Sequence, residues 1–453
     1  MQLDKLDEHE DKEYLCREYL KNNYIDPEFS EKLGVKRGLR NPDGTGVLAG
    51  LTNVCDVVGY EMKNGVREAI DGKLIYRGIS VEDLVEAAIC EDRFMFEEVI
   101  WLLLFGSLPG PKQLEDLKTL LEEHRRLPDN FVEDMIIKAP SPDLMNKIGR
   151  SVLAMYSYDD NPDDLSLENV LAQSINLIAA LPTLVVNAYQ VKRRVYDKKS
   201  MFFHMPVEGL STAEHILSSY RPDQKFTHEE AKLLDLCLMV HADHGGGNNS
   251  AFACRVLSSS GTDTYAAISA AIGSLKGPKH GGANIKVMQQ LDQIMLGVEN
   301  VYDEEELREF LRRILRRQAG DGSGLIYGMG HAVYTKSDPR AVILRRNAAH
   351  LAEEKGFEEE FQVLCAIEKL APQVFAEEKG NKDVCANVDL FSGLIYRMLG
   401  LSADLYTPLF AISRIPGWCA HRMEEIVFAN RIIRPAYKYL GVRQKYIPLD
   451  ARK

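Results

Sequence analysis

The sequence predicts a mainly α-helical protein with a small β element near its N-terminus. Apolar residues recur at three- to four-residue spacing through most of the chain, and polar or proline residues separate the periodic stretches. The spacing changes in the stretch 46–79, where Leu51–Val58 is rich in β-branched residues. There, Asp71-Gly72 predicts a turn before the strand-like run Leu74–Gly78. A few short strands are therefore expected in that stretch and hardly any elsewhere.

Helices are expected to follow one another from residue 80 onward. Ser80 and Asp83 form a variant of the capping box at the start of the first helix. A short surface helix is also expected within Met1–Lys36. The apolar spacing predicts further helices at Phe94–Phe105, Pro111–His124, Asp129–Ala139, Ser141–Met155, Ser166–Asn187, Ser211–Leu217, His228–His241, Tyr265–Ser274, Ile285–Met295, Asp303–Arg317, Ala341–Ala352 and Glu360–Leu370.

The composition is that of an ordinary globular protein. Hydrophobic residues make up 45% of the 453 residues and charged residues 27%, which is ample material for a buried core. A net charge of −12 weighs against a general binder of nucleic acids or anionic membranes. Any anionic ligand must therefore be held by a local group of cationic side chains.

No targeting or membrane-spanning segment is expected. The start of the chain, MQLDKLDEHEDKEYL, is acidic and lacks the features of a secretory signal or a transit segment. The most apolar stretch, Leu177–Ala188, is too short to span a bilayer and contains Pro182. We therefore predict a buried helix there and a cytoplasmic protein. The eight cysteines include no CxxC pair, which disfavours structural zinc.

The segment 324–340, GLIYGMGHAVYTKSDPR, has the residue types of a binding site. Its glycines permit positive φ angles and close approach of a ligand, and Ser337–Pro339 offers a helix N-cap followed by proline. A loop therefore presents His331, and a helix begins near Arg340. Histidine changes charge near neutral pH and arginine can bind a carboxylate through two parallel hydrogen bonds, which suits a small carboxylic acid with a reactive carbonyl. The alternative is a glycine loop followed by a surface arginine.

The segment His241–Asn248, HADHGGGN, ends an apolar helix. His241 and His244, with Asp243 between them, could bind a metal ion. However, one helical turn supplies at most three ligands, and no complementary cluster follows. The other interpretation is a pair of histidines that satisfies a helix end before a glycine stop.

Two further segments place single ionisable residues beside predicted helix starts. His280 lies in GPKHGGAN, where the partial positive charge of a helix N-terminus disfavours imidazolium. It is therefore expected to be neutral and to donate a hydrogen bond, as an electrophilic histidine does in enolisation. Asp389 lies in NVDLFSGLIY, where an aspartate would by default be a helix cap. Arg414 and Arg434 are unremarkable as isolated residues.

Together these segments resemble, in the same order, the signature segments of the citrate synthase family. The small β region extends the resemblance over most of the chain. The resemblance implies the nearly all-helical citrate synthase fold, with a large domain of about 1–279 and 394–453 and a small domain of about 280–393. The motifs that carry it contain His244, His280, His331, Arg340, Asp389, Arg414 and Arg434.

The resemblance also implies an activity, the condensation of acetyl-CoA with oxaloacetate and water to citrate and CoA through an enol and citryl-CoA. No metal, no redox cofactor and no nucleic-acid or membrane partner is expected. Arg434 is expected to serve the neighbouring subunit of a homodimer, and Gly328 and Gly330 to contact CoA. The implied catalytic residues are His280, His331 and Asp389. The residues implied to bind oxaloacetate are His244, His331, Arg340, Arg414 and Arg434.

The residue types suit this chemistry, although other functions stay open. The methyl protons of an acetyl thioester are weakly acidic, so a carboxylate base, Asp389, must act together with a donor to the thioester oxygen, His280. A 2-methylcitrate synthase would use propionyl-CoA with the same residues, because one methylene is worth only about 1–3 kcal/mol of discrimination. The alternatives from other classes are a metal-dependent hydrolase built on His241, Asp243 and His244 and a non-catalytic helical scaffold.

Overall fold

Contacts in the computed structural model divide the chain into two units, Met1–Leu51 and Thr52–Lys453. The structure describes residues 9–41, 43–64, 66–380, 384–428 and 431–452. The first unit contains helices α1 (His9–Asn22) and α2 (Glu28–Lys32) and a 3-10 turn at Arg37–Leu39. The surface helix predicted in this region is thus confirmed within its described part.

The second unit begins with a three-stranded antiparallel sheet in the order β1 (Cys55–Lys63), β2 (Val66–Tyr76) and β3 (Ile79–Ser80). This confirms the strands expected between residues 46 and 79. The turn predicted at Asp71-Gly72 is wrong, because both residues lie inside β2. Gly72 is instead needed where its N–H donates to the Ser337 carbonyl at 3.1 Å, since a Cβ there would overlap that carbonyl and the Tyr334 ring.

Helices make up most of the rest of the second unit, and every helical segment predicted from the apolar spacing has a counterpart. Asp129–Ala139 forms a short π-helical stretch at Val132–Ile137. Two of the helices, α10 (Asn249–Ser258) and α17 (Tyr406–Phe428), were not predicted. The α-helices are α3 (Val81–Cys90), α4 (Phe96–Phe105), α5 (Pro111–Glu123), α6 (Leu144–Ala154), α7 (Leu167–Val195), α8 (Thr212–Tyr220), α9 (His228–His241), α10 (Asn249–Ser258), α11 (Thr264–Lys276), α12 (Ala283–Gly297), α13 (Glu304–Leu315), α14 (Pro339–Lys355), α15 (Glu358–Lys379), α16 (Asp389–Met398) and α17 (Tyr406–Phe428).

The core is built around α7, α9 and α17, which are buried on nearly all sides. In α17, every residue from Tyr406 to Met423 is buried. Helix α7 is long and apolar enough to cross a membrane by length and composition, but 72% of its most apolar window is buried inside the structure. This burial confirms the buried helix predicted at Leu177–Ala188, because a helix that is apolar all round belongs inside a core.

The predicted division into a large and a small domain, with boundaries at residues 280 and 393, lies inside the second unit and remains a prediction. The structure does show that the chain on both sides of these boundaries supplies residues to one place. Helices α9 and α17 approach it from one side. The loop before α14 and the first turn of α16 approach it from the other.

Candidate active site

The rings of His244 and His331 meet where these elements converge. His244 lies on the turn after α9 and His331 on the loop before α14, and their ring centroids are 5.0 Å apart. Tyr334 stacks on His331 at 4.5 Å and meets His244 edge-on at 5.6 Å. The structure thus brings together two of the segments singled out in the sequence.

Hydrogen bonds define the state of the His331 ring. The backbone N–H groups of Val333 and Tyr334 both donate to its Nδ1, at 3.0 and 2.9 Å. A donor of this kind requires a lone pair on Nδ1, so the ring is neutral and its proton is on Nε2. His331 therefore offers its Nε2–H as a hydrogen-bond donor, on the side of the ring away from the backbone N–H groups of Val333 and Tyr334.

The glycine loop before His331 is joined to the segment that carries Asp389. Gly328 and Gly330 both have positive φ angles, +83° and +92°, as the sequence predicted. The Gly330 N–H donates to the Cys385 carbonyl at 2.7 Å, and the Asn387 side chain donates to the Gly330 carbonyl at 2.9 Å. A Cβ at Gly328 would lie 3.0 Å from the Leu390 Cα. Glycine is therefore required for this close approach, which joins the loop of His331 to the first turn of α16.

Arg340 is buried and held by Asp338. Its Nε and Nη2 donate to the two carboxylate oxygens at 3.0 and 2.7 Å. Asp338 is also the N-cap of α14 and Pro339 its first residue, as the sequence predicted. Burial alone would lower the pKa of Arg340, but the Asp338 charge outweighs it and raises that pKa. Arg340 is thus a fixed cation at the start of a helix.

Arg414 is a second buried cation, and it lacks such a partner. Its Nε donates to the His241 carbonyl at 2.6 Å. Its Nη1 and Nη2 are buried without a hydrogen-bond partner among the described residues. Burial lowers the pKa of Arg414, while the negative charge of Asp243 opposes that effect. Such unsatisfied N–H groups cost free energy inside a protein and are the expected partners of an anionic ligand.

His280 lies between α11 and α12 and contacts Ser250 of α10. The His280 Nε2 is 3.1 Å from the Ser250 hydroxyl, which also accepts the indole N–H of Trp418 at 3.0 Å. Burial, reinforced by the positive charge of Arg414, lowers the pKa of His280 to about 4. A neutral ring at pH 7 agrees with the expectation from the sequence, although burial has the larger effect here.

Asp389 is the first residue of α16, and its Oδ1 is buried without a hydrogen-bond partner among the described residues. Burial raises the pKa of its carboxyl group to about 7, with Arg340 and Arg414 opposing and Asp338 adding to the rise. A carboxylate that exchanges its proton near neutral pH is suited to act as a general base. The default interpretation as a helix cap is not supported, because Asp389 follows the N-cap position, which Val388 occupies.

His244 completes the cluster. It is only 8% exposed, and its Nε2 has no hydrogen-bond partner in the part of the chain that the structure describes. Burial lowers the pKa of His244 well below its ordinary value, and the charges of Arg340 and Arg414 add to this. Two buried arginines, three histidines and the carboxylates of Asp338 and Asp389 thus share one region. It can bind a small carboxylic acid and transfer a proton beside it.

Arg434 is the one predicted site residue that the structure does not bring into this cluster. It lies in the exposed segment 431–452, where the Ile433 N–H donates to the Ser259 hydroxyl at 3.0 Å. Sequence reasoning in turn missed Ser250 and Tyr334 and treated Asp338 only as a helix cap. Ser250 lies two residues after Asn248, which is the N-cap of α10, and Tyr334 lies three residues after His331. These short spacings were the available signal in the sequence.

The proposed metal ligands His241, Asp243 and His244 do not form a ligand cluster. His241 Nδ1 donates to the Cys237 carbonyl at 2.7 Å, and Asp243 accepts hydrogen bonds from other protein groups. Within the described ranges, the group of side chains whose donor atoms do come within 4.8 Å of one another is Glu229, His350 and Glu354, on the surface of α9 and α14. None of these three residues lies in the predicted site segments.

Fold and site together define a mainly helical protein with a buried cationic and histidine-lined site for a small carboxylate. The family model described as "Citrate synthase, C-terminal domain" matches residues 42–436. The chain therefore belongs to the citrate synthase family.

Comparisons with individual proteins agree with this family. The chain is 34% identical over 389 residues to a citrate synthase of Synechocystis, covering 85% of this chain and 89% of that protein. It is 32% identical to a 2-methylcitrate synthase of Shewanella oneidensis, covering 84% and 92% of the two chains. Among solved structures, it is similar to a ternary complex of citrate synthase from Thermoplasma acidophilum with carboxymethyl coenzyme A and oxaloacetate. That match has a TM-score of 0.76 and 27% identity and covers 92% of this chain and 99% of that chain.

Proposed function

We propose that this protein is a citrate synthase, which condenses acetyl-CoA with oxaloacetate and water to citrate and CoA. The observation that carries the proposal is the convergence of Asp389, with a pKa of about 7, and neutral His280 on a site lined by Arg340 and Arg414. The family relationship and the ligands of the Thermoplasma complex support it. The CoA thioester is a substrate, and the proposed chemistry requires no further cofactor.

The first step is the removal of a methyl proton from the acetyl thioester. Asp389 takes the proton, and its raised pKa makes it a stronger base than an exposed aspartate at neutral pH. A donor must meet the thioester oxygen as the enol forms, and neutral His280 is assigned this role. Ser250, whose hydroxyl lies 3.1 Å from His280 Nε2, positions the ring for this role.

The second substrate requires cations, because oxaloacetate carries two carboxylates. Arg414 has two N–H groups without a protein partner, and Arg340 keeps N–H groups beyond those that Asp338 uses. His331, with its proton on Nε2, polarises the ketone and protonates the alkoxide that forms when the enol attacks. His244 donates a further hydrogen bond to oxaloacetate. Hydrolysis of citryl-CoA then releases citrate and CoA.

Assembly and CoA contacts belong to the same proposal. We assign Gly328 and Gly330 to the CoA-binding face of the His331 loop. Arg434 is assigned to the active site of the neighbouring subunit of a homodimer, and its place in an exposed segment outside the cluster of its own chain supports this. The large and small domains, divided at residues 280 and 393, are proposed to close over oxaloacetate and so complete the acetyl-CoA site.

The deciding experiment is CoA release, measured with oxaloacetate and either acetyl-CoA or propionyl-CoA. A higher kcat/KM with acetyl-CoA supports the proposed function. A preference for propionyl-CoA would identify a 2-methylcitrate synthase, the second candidate, which the similarity to the Shewanella enzyme favours. Loss of activity with a chelator would support the metal-dependent hydrolase. No CoA release with either thioester would contradict the whole assignment.

A further inference from the structure

A buried chain of hydrogen bonds runs behind the turn that carries His244. It links Asp243 to His421 of α17 and then to Arg255 of α10. Asp243 and His421 are 0% exposed and Arg255 is 7% exposed. Beyond Arg255 the chain of hydrogen bonds continues to Glu424 and Glu425, and Glu424 also accepts the backbone N–H of Asn53 at 2.7 Å. Placing this many charged and polar groups inside a core is costly, so their arrangement calls for a role.

Donors and acceptors along this chain define His421 as a neutral ring. The Arg255 Nη2 lies 2.8 Å from His421 Nδ1, and because a guanidinium has only N–H donors, Nδ1 must be the acceptor. The ring proton is therefore on Nε2, which lies 3.1 Å from the Asp243 Oδ2 and donates to it. Arg255 is itself held in place, because its Nη1 pairs with Glu425 at 2.9 Å and its Nη2 also pairs with Glu424.

Asp243 transmits this restraint to His244. The same Oδ2 accepts the Gly245 N–H at 2.9 Å, so the residues before and after His244 are joined through one carboxylate oxygen. Gly245 has a φ of +80°, in the left-handed region that glycine adopts without strain. On the opposite side, Gly417 of α17 lies so close that a Cβ there would overlap Asp243 Oδ1. The carboxylate, and with it the turn, is thus held on several sides.

We propose that His421 is a positioning residue for oxaloacetate binding, because its Nε2–H holds the Asp243 carboxylate that shapes the turn presenting His244. This inference rests on the proposed function, since it takes the His244 turn as part of the oxaloacetate site. His421 acts through Asp243 and not on the substrate. It contributes to the affinity for oxaloacetate and leaves the proton transfer to Asp389 unchanged.

Two substitutions separate the two ends of the imidazole. In His421→Gln, the amide nitrogen reaches the position of Nε2 and can still donate to Asp243. In His421→Asn, the amide reaches only the position of Nδ1, so it can accept from Arg255 but leaves Asp243 without its donor. We expect calorimetry to show oxaloacetate binding within about threefold of wild type for the glutamine variant, and at least about tenfold weaker binding for the asparagine variant.

A buried histidine elsewhere in the core supplies the matched control. His215 is 1% exposed, and its Nε2 lies 2.9 Å from the Thr183 hydroxyl. His215→Asn is expected to lower the melting temperature without changing the affinity for oxaloacetate. Equal affinities for the glutamine and asparagine variants of His421 would overturn the positioning role. A wild-type protein that binds no oxaloacetate would overturn the proposed function instead.

The tautomer of His421 can also be measured in the wild-type protein, which keeps the inference testable if a variant does not fold. Nitrogen NMR of protein labelled at histidine distinguishes a neutral ring protonated on Nε2 from the other tautomer and from imidazolium. The signal that is missing from the spectrum of a folded His421 variant is that of His421. We expect the proton on Nε2 and not on Nδ1. Protonation on Nδ1 would contradict the hydrogen-bond order on which the proposal depends.

Discussion

Arg340 and Asp338, two residues apart at the start of α14, form a two-pronged ion pair with N–O distances of 3.0 and 2.7 Å. The same carboxylate accepts the backbone N–H of Arg340 at 3.0 Å. One aspartate therefore caps the helix and orients the guanidinium. Under the proposed function, the remaining N–H groups at the far end of the guanidinium bind a substrate carboxylate.

Arg340→Lys tests this arrangement. The substitution keeps the charge, but one ammonium group cannot pair with both Asp338 oxygens and also reach a substrate carboxylate. We expect the half-saturating concentration of oxaloacetate to rise at least about tenfold in steady-state assays. Arg345→Lys is the matched control, because Arg345 lies on the same helix and pairs with Glu368 at 2.7 Å on the surface. Unchanged half-saturation in Arg340→Lys would show that Arg340 does not contact the substrate.

Of the two roles of Asp338, the sequence predicts the helix cap but not the pairing with the Arg340 side chain. The cap, the proline and the helix start near Arg340 depend on neighbouring residues, so local chemistry predicted them correctly. The direction of the Asp338 side chain depends on the guanidinium of Arg340, which is buried by other elements. Residues next to Asp338 in the sequence do not reveal that burial. The same limit explains the wrong turn at Asp71-Gly72, where the glycine serves a contact with Ser337, more than 200 residues further along the chain.

The missed helix α17 has a different cause. Its residues from Tyr406 to Met423 are buried on all sides, so it shows no alternation between an apolar and a polar face. Pro416 inside the helix further weakened the signal. The arginine that it carries, Arg414, was found only through the resemblance of its motif to the family. Long-range networks such as the one through His421 leave no periodic pattern in the sequence.

Asp389→Asn tests the assignment of the base. The amide has nearly the same size as the carboxylate but cannot accept a proton from the thioester methyl group. We expect turnover to fall at least about a hundredfold, with the calorimetric affinity for oxaloacetate within about threefold of wild type. The surface substitution Asp116→Asn should leave both quantities unchanged. Turnover close to that of wild type would remove Asp389 from the mechanism.

The pH dependence of catalysis should reflect the same carboxyl group. Because burial raises the pKa of Asp389 to about 7, the basic form is lost as the pH falls through that value. We expect kcat/KM for acetyl-CoA, measured at saturating oxaloacetate, to decrease about tenfold per pH unit below about 7. A flat profile down to pH 5 would indicate that the base has an ordinary carboxyl pKa, or that another group abstracts the proton.

The raised pKa also has a consequence for stability. The folded chain binds a proton on Asp389 up to a pH of about 7, whereas an unfolded chain releases it near pH 4. This group therefore reduces the free energy of unfolding as the pH rises from about 4 to 7. Asp389→Asn removes that cost. The free energy of unfolding of the variant should therefore exceed that of wild type at pH 8, by a few kcal/mol at most, and should be similar to that of wild type at pH 4. A variant that is less stable than wild type at pH 8 would contradict the inference that burial disfavours the charged form of Asp389.

The assignment of Arg434 to the neighbouring subunit can be tested by mixing defective chains. Asp389 and Arg434 of one chain would then serve different sites, so each single-mutant homodimer is defective at both of its sites. In a mixed dimer of Asp389→Ala and Arg434→Ala chains, the second chain keeps Asp389 and receives Arg434 from the first. One site of that dimer is intact, and the other carries both substitutions.

Random re-association of equal amounts makes about half of the dimers mixed, and each mixed dimer has one intact site of two. We therefore expect mixing to restore about a quarter of the wild-type activity, once exchange of subunits has been confirmed by mass spectrometry. Mixing Asp389→Ala with His280→Ala chains is the matched control, because both of those residues would belong to the same chain's site. The control mixture would restore activity only if one of these two residues were supplied by the partner chain. No recovery is therefore expected from it. If Asp389→Ala chains recover activity when mixed with Arg434→Ala chains but not when mixed with His280→Ala chains, Arg434 alone is supplied by the neighbour. If neither mixture is more active than the average of its two homodimers, Arg434 acts in its own chain or lies outside the site.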